Sequence, residues 1–222
     1  MEREAQIIEL SLDRNTVPEH QTSALPDMDE LSETGVRILI AGLELFAARG
    51  YHATSIRDIA AGAGLQSASL YTHFPSKEAI LAELVKTAYR VHNRALMSAL
   101  LKASPDPKDQ LRRLIEAHVA AHCRWSKLAA VATREIWSLS DEAASAPLAL
   151  RDSSVALLVE IIQRGLEQEV FAIDQLEITL SAIGSLGTAV INWYPAQAAA
   201  YTPEQVGATY ADLTLKMVGA SS

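Results

Sequence analysis

A single cysteine, Cys123, occurs among the 222 residues, so the chain cannot close an intrachain disulfide. That suits a reducing compartment, and a cytoplasmic location is expected. No apolar run approaches the ~18 residues that a membrane span requires, although 49% of the residues are hydrophobic. The N-terminus has no basic segment followed by an apolar one, so no secretory signal is expected. Alternating strand patterns, internal repeats and a glycine-rich phosphate loop are missing as well. Positive charge is also short, with a formal net charge of −8. That deficit is uneven: residues 1–32 hold eight acids and two bases, whereas residues 33–80 hold four of each. A small groove-reading surface needs a local patch of favourable potential, not a basic whole.

What is present is helical periodicity, and the chain is expected to be all-α with about nine helices. Residues 1–31, with Pro18 and Pro26, are expected to form a flexible acidic arm. Val36, Leu39, Ile40, Leu43 and Phe46 mark a first helix from Ser32 to Arg49, ended by Gly50. Ser76 caps a long helix reaching Leu101. Asp106 and Pro107 open the next one, which carries Leu111, Leu114, Ile115 and Val119. A helix from Ser126 to Leu139 follows, and the stretch up to Pro147 is expected to break the chain. Helices are then expected over 148–170, over 175–194 with Asp174 as cap and Pro195 as stop, and from the Thr202-Pro203-Glu204-Gln205 start signal onward.

Between the first helix and the long one lies the most informative stretch, Thr54 to Lys77. Ser55 and Asp58 form a capping box. Ile56, Ile59, Ala60 and Ala63 form one buried stripe. Gly64 supplies the positive φ of a sharp turn. Leu65, Leu70 and Phe74 anchor a second short helix. Its outer face then holds Gln66, Ser67, Ala68, Ser69, Tyr71, Thr72 and His73, with no bulky aliphatic residue among them. A helix-turn-helix needs such a face to enter a major groove.

The run Ala53 to Ala60, then Ala63-Gly64-Leu65, then Leu70 to Glu78, resembles the DNA-binding domain of TetR-family transcriptional regulators. The segment Ile38 to Tyr51 is similar to that family's first helix and its exit. Gln66 departs from the pattern, since many members place Ser there as the helix cap and Gln is the poorer cap. The resemblance implies a helix-turn-helix DNA-binding domain over residues 32–80 and a ligand-binding and dimerisation domain over residues 81–222. It implies a ligand-responsive regulator, usually a repressor, whose partners are a double-stranded DNA operator, a small-molecule effector and a second copy of the chain, with no membrane partner.

Residue by residue, Gln66, Ser67, Ala68 and Ser69 are the candidates for base edges; a serine hydroxyl can donate or accept, and an alanine methyl suits thymine. Arg57, Tyr71, His73 and Lys77 are candidates for phosphate. Thr54 and Ser55 join them, because free N–H groups and a helix dipole favour an anion there. The small-residue helix with Ile183, Leu186, Gly187, Val190 and Ile191, together with Tyr210, Leu213 and Met217, suits either the centre of the core or a four-helix dimer interface; the resemblance implies the interface. Tyr89, His92, His118, His122, Trp125, Glu135, Trp137 and Trp193 are candidates to line an effector pocket. Trp193-Tyr194-Pro195 with Thr202-Pro203-Glu204 is similar to a subgroup whose ligands are often fatty or steroid acyl-CoA thioesters.

Two other classes compete. His118 and His122 stand four residues apart, a spacing that can hold zinc, with Cys123 adjacent. The segment reads His-Val-Ala-Ala-His, however, without the glutamate of the zinc-protease signature. No metal, cofactor or catalytic residue is therefore expected. A helical protein-interaction module is the remaining alternative, and it does not explain why the outer face of the second motif helix is free of aliphatic side chains.

Overall fold

A computed structural model describes residues 25–28 and 30–220. Most of the expected arm, residues 1–24 and 29, lies outside the described residues. Among the described residues there are nine α-helices and no strand. In chain order they are α1 (Glu33–Arg49), α2 (Ile56–Gly62), α3 (Ser67–Leu70), α4 (Lys77–Leu100), α5 (Pro107–Arg124), α6 (Ser126–Glu135), α7 (Asp141–Glu167), α8 (Leu176–Gln197) and α9 (Pro203–Met217), with a 3-10 turn at Ile136–Ser138.

The helix starts follow the capping chemistry. Ser32 accepts from the Gly35 N–H, Asp106 from the Lys108 N–H, and Thr202 forms a full capping box with Gln205. Two proline expectations fail. α7 begins at Asp141 and runs through Pro147. Ser140 accepts from the Ala143 N–H, and Asp141 and Glu142 sit in the first turn, so the start is specified upstream of the proline. α8 likewise passes Pro195 and ends at Gln197, and its N-cap is Gln175, which makes no side-chain cap bond, in place of Asp174. A proline costs one main-chain bond and some steric relief; near a helix end that cost stays local.

The chain divides into two compact units whose limits differ from those of the expected domains. One holds the helix-turn-helix, α4 up to Arg94 and residues 127–154; the other holds residues 95–126 and 155–220. In the first unit, Ile38, Leu39, Phe46, Ile59, Leu70, Ile80, Leu81 and Leu84 are fully buried. α1 and α4 approach closely at Gly42, where a Cβ would lie 2.8 Å from Ile80 Cγ2. Asp27, just ahead of α1, pairs with Arg94 at 2.8 Å and receives a bond from Arg90 on its carbonyl at 3.0 Å.

In the second unit the core joins Leu111, Leu114, Ile115 and Val119 of α5 to Ile161 and Ile162 of α7, Ile183, Val190 and Tyr194 of α8, and Val206 and Ala211 of α9. Gly207 of α9 meets the α5 main chain directly, and Gly187 of α8 lies against the His118 ring. Arg112 of α5 pairs with Asp212 of α9 at 2.7 Å, and Arg124 pairs with Glu204.

Candidate nucleic-acid interface

Ser55 builds the entry to α2. Its hydroxyl accepts from the Asp58 N–H at 3.2 Å and donates to Asp58 Oδ2 at 2.7 Å, while the Ser55 N–H donates to the same carboxylate at 3.0 Å. Arg49, in the last turn of α1, pairs with Asp58 at 2.6 Å. The Ser55 hydrogen bonds, aided by Arg49, hold the Asp58 carboxyl below the usual carboxylate range. Gly64, at φ 69°, makes the turn out of α2.

α3 itself has four residues, and its course continues through Tyr71, Thr72 and His73 by bonds back to Ser67, Ser69 and Leu70. Gln66 caps it without a side-chain bond, as its chemistry leads one to expect. Leu70 and Phe74 are buried beneath, and Gln66, Ala68, Ser69 and Thr72 are exposed, with Ser67 partly so. Tyr71 is 51% exposed. The outer side of α3 is therefore compact, polar and open to solvent. Arg57 is exposed on α2. His73 is exposed, with Nδ1 3.4 Å from the Ser32 hydroxyl at the cap of α1.

Two expected contacts are placed differently. Thr54 is only 2% exposed, and its hydroxyl donates to the Gly50 carbonyl at 2.8 Å. That side chain shapes the loop between α1 and α2 and is not presented to a phosphate. Lys77 donates from Nζ to the Tyr51 carbonyl at 2.8 Å and to the Thr54 carbonyl at 2.7 Å. Its ammonium also lies 4.1 Å from the centroid of the Tyr51 ring. Burial lowers its pKa. The Ser55–Asp58 capping box is the one expected from spacing; the roles of Arg49 and Tyr51 around this loop were not evident from spacing, and the basic residue at the end of α1, followed by Gly50-Tyr51, was the available signal.

The eight candidates for an effector pocket divide between the two units. Tyr89, His92, Glu135 and Trp137 belong to the first; His118, His122, Trp125 and Trp193 belong to the second. Trp137 is 73% exposed with the Arg151 guanidinium 5.9 Å above its ring, so it lies on the surface. Glu135 faces the helix-turn-helix: it accepts from the Ser138 hydroxyl at 3.3 Å, and that hydroxyl stands 3.3 Å from His52 Nε2. Burial raises the Tyr89 pKa, with Arg151 opposing. In the second unit, the His118 and His122 rings are 4.6 Å apart and tilted by 56°. His122 Nδ1–H donates to the His118 carbonyl at 2.8 Å, and burial lowers the His122 pKa. Burial also pushes the Cys123 thiol up to about 12, which makes it inert. Trp193 Nε1–H donates to the Tyr210 hydroxyl at 3.3 Å.

The expected dimer residues also separate. Ile183 and Val190 are buried in the unit's own core, so their side chains are already used within the chain, and Gly187 is buried against the His118 ring. Leu186 and Leu213 are exposed, with Ile191, Tyr210 and Met217 partly buried. The outer side of α8 carries Ile178, which is 66% exposed, beside exposed Ser181, Gly184, Ser185 and Ala189.

Residues 104–218 match the family described as Tetracyclin repressor-like, C-terminal domain, and residues 38–84 match Bacterial regulatory proteins, tetR family. The chain belongs to the TetR family. It is a transcriptional regulator of that family. It is similar to the HTH-type transcriptional repressor KstR2 of Rhodococcus jostii (strain RHA1), with 32% identity over 135 residues, spanning 50% of this chain and 66% of that one, just under two thirds. In structure it is similar to a bacterial regulatory protein in the tetR family from Rhodococcus RHA1, with TM-score 0.78 and 31% identity over 86% of this chain and 100% of that one. The ketosteroid transcriptional regulator KstR2 of Mycobacterium tuberculosis is similar too, with TM-score 0.76 and 26% identity over 86% and 97% of the two chains. Among the described residues of this TetR-family chain, no helix is long and apolar enough to cross a membrane.

Proposed function

We propose that this TetR-family regulator is a repressor that binds a palindromic operator as a homodimer and is released by a small hydrophobic or acyl-CoA-type effector. The observation that carries the DNA half is the solvent-facing side of α3, which offers small and hydrogen-bonding groups with Leu70 and Phe74 buried underneath. Gln66, Ser67, Ala68 and Ser69 are the base-reading residues in this proposal. Ser55, Arg57, Tyr71 and His73 meet the backbone and fix register.

The dimer half rests on the exposed apolar and small residues of α8 and α9: Ile178, Leu186 and Leu213 with Gly184, Ser185 and Ala189. Small residues let two helices approach closely, and exposed large apolar side chains beside them gain by being covered. Two-fold symmetry then sets two α3 helices about one DNA turn apart, ~34–36 Å. The effector half is supported by the Trp193-Tyr194-Pro195 and Thr202-Pro203-Glu204 segments and by similarity to the ketosteroid transcriptional regulator KstR2. Release requires the effector to favour one of two conformations of the dimer.

Selection of bound DNA from a random pool with the full-length protein tests the proposal, followed by challenge of the complex with fatty and steroid acyl-CoA thioesters. A palindrome with half-sites one turn apart is expected. Tyr71→Ala should then weaken binding to all sequences alike, whereas substitutions at Ser67 or Ala68 should change the preferred bases. Recovery of no palindrome would sink the symmetric-reader assignment. A palindrome whose complex no thioester releases would sink the effector assignment alone.

A further inference from the structure

Lys77 is the one DNA-contact candidate whose charged group is engaged by the protein's own main chain at two points. Two of its three N–H donors are taken up by the Tyr51 and Thr54 carbonyls, at 2.8 and 2.7 Å. Its ammonium is 4.1 Å from the Tyr51 ring centroid, a cation–π arrangement. The Tyr51 ring in turn lies 5.5 Å from the Phe46 ring at the end of α1. The loop so gripped runs from Gly50, at φ 83°, to Ser55, the cap of α2. Within it, the Thr54 N–H donates to the Tyr51 carbonyl at 3.2 Å and the Thr54 hydroxyl to Gly50. The first residue of α4 therefore closes a ring of contacts around the point where α2 begins. α2 carries α3 through Gly64 and the bond from the Leu65 N–H to the Ala60 carbonyl at 2.8 Å.

We propose that Lys77 is a positioning residue for operator binding: it staples the loop between α1 and α2, so that α2 and α3 are held in the orientation that presents Ser67, Ala68 and Tyr71 outward. Only the third N–H of the ammonium is left for a phosphate, because the other two are held by carbonyls, each a charge-assisted partner at short distance. This inference rests on the DNA-binding proposal above and names a role within the same site. It separates two functions that look alike in affinity alone. A residue that neutralises a phosphate changes the salt dependence of binding by about 0.9 in log–log slope; one that orders a loop does not. A staple also couples to the group it presses on, whereas a phosphate contact is indifferent to a ring on the far side of the loop.

The experiment is a salt series of operator-binding titrations with the full-length protein, comparing wild type with Lys77→Met, Tyr51→Leu and the double variant. Methionine keeps the stem and removes charge and donors. Each single variant is expected to lose about tenfold in affinity with a slope equal to that of wild type, and the double variant is expected to lose less than the product of the two. Should Lys77→Met fail to fold, Tyr51→Leu alone still decides: a loss of affinity supports the staple, and unchanged affinity overturns it. A slope shallower by about 0.9 in Lys77→Met, with losses that multiply in the double variant, overturns it in favour of a phosphate contact. Absence of salt-dependent binding by wild type would overturn the DNA-binding proposal itself, and this inference with it.

Discussion

Gly207→Ala should destabilise the regulator, against the usual direction for a glycine inside a helix. Gly207 lies within α9, where alanine is favoured over glycine by about 1 kcal/mol on propensity alone. The tertiary setting reverses the sign. A Cβ at this position would stand 2.9 Å from the Glu116 carbonyl oxygen and 3.2 Å from the Glu116 Cα on α5. Both obstacles are main chain, so no rotamer change relieves them. The helices must part by a few tenths of an ångström, and the parting is shared by Val206 and Ala211, both buried in the same core as Leu111 and Ile115. Overpacking of this kind costs about 1–3 kcal/mol, which leaves a net loss of about 1 kcal/mol after the propensity gain. For a chain of this size that lowers Tm by roughly 2–4 °C. Thermal unfolding followed by circular dichroism measures it. The double variant Gly207→Ala with Glu116→Ala serves as control: because the clash is with backbone, trimming the glutamate side chain should not restore stability. A Tm raised by Gly207→Ala, or recovered in the double variant, would refute the close approach of α5 and α9.

The remaining predictions are smaller in scale. In an NMR titration, the Asp58 carboxyl should titrate below its ordinary value of 3.8, and Ser55→Ala should move it back toward that value, because the Ser55 hydrogen bonds are the largest cause of its depression. Since the folded-state value is depressed, the capping contribution is complete above about pH 4 and is lost as pH falls through the folded-state value. Tyr194→Phe should cost about 1 kcal/mol, because the buried hydroxyl donates to the Tyr201 carbonyl at 3.1 Å and ties the end of α8 to the turn before α9; urea unfolding would register it as a lower midpoint at unchanged slope. Glu78→Gln should loosen the start of α7, because the carboxylate accepts from the Ser140 N–H at 2.7 Å. Faster hydrogen exchange at the Ser140 amide is the expected readout, and unchanged protection would remove the contact.

The capping signals were legible because they are local. Ser32, Ser55 with Asp58, Asp106 and Thr202 with Gln205 act within one turn of their own helix, and each helix begins where its cap stands. The breaks read from Pro147 and Pro195 failed for the complementary reason. A proline is a local penalty, and packing along α7 and α8 outweighs it. The outer face of α3 was legible as well, since a side of Ser, Ala and Gln above Leu70 and Phe74 has only one sensible way to face. Individual contact roles were not. Thr54 carries the right group for a phosphate, yet its hydroxyl closes the Gly50 turn. For Ile183 and Val190 the spacing left core and dimer interface both open, and the fold puts them in the core beneath their own helix.

From its sequence alone, this protein was determined to be all-helical, to carry a helix-turn-helix between residues 54 and 77, and to resemble TetR-family regulators, because periodicity, caps and turn residues act at short range. Tertiary structure decided which partner each long or polar side chain takes. Lys77 reaches carbonyls 26 and 23 residues back in the chain, and Gly207 meets a helix that begins 96 residues before α9 does. Such pairings depend on how helices cross in space, and no spacing within a single helix encodes them.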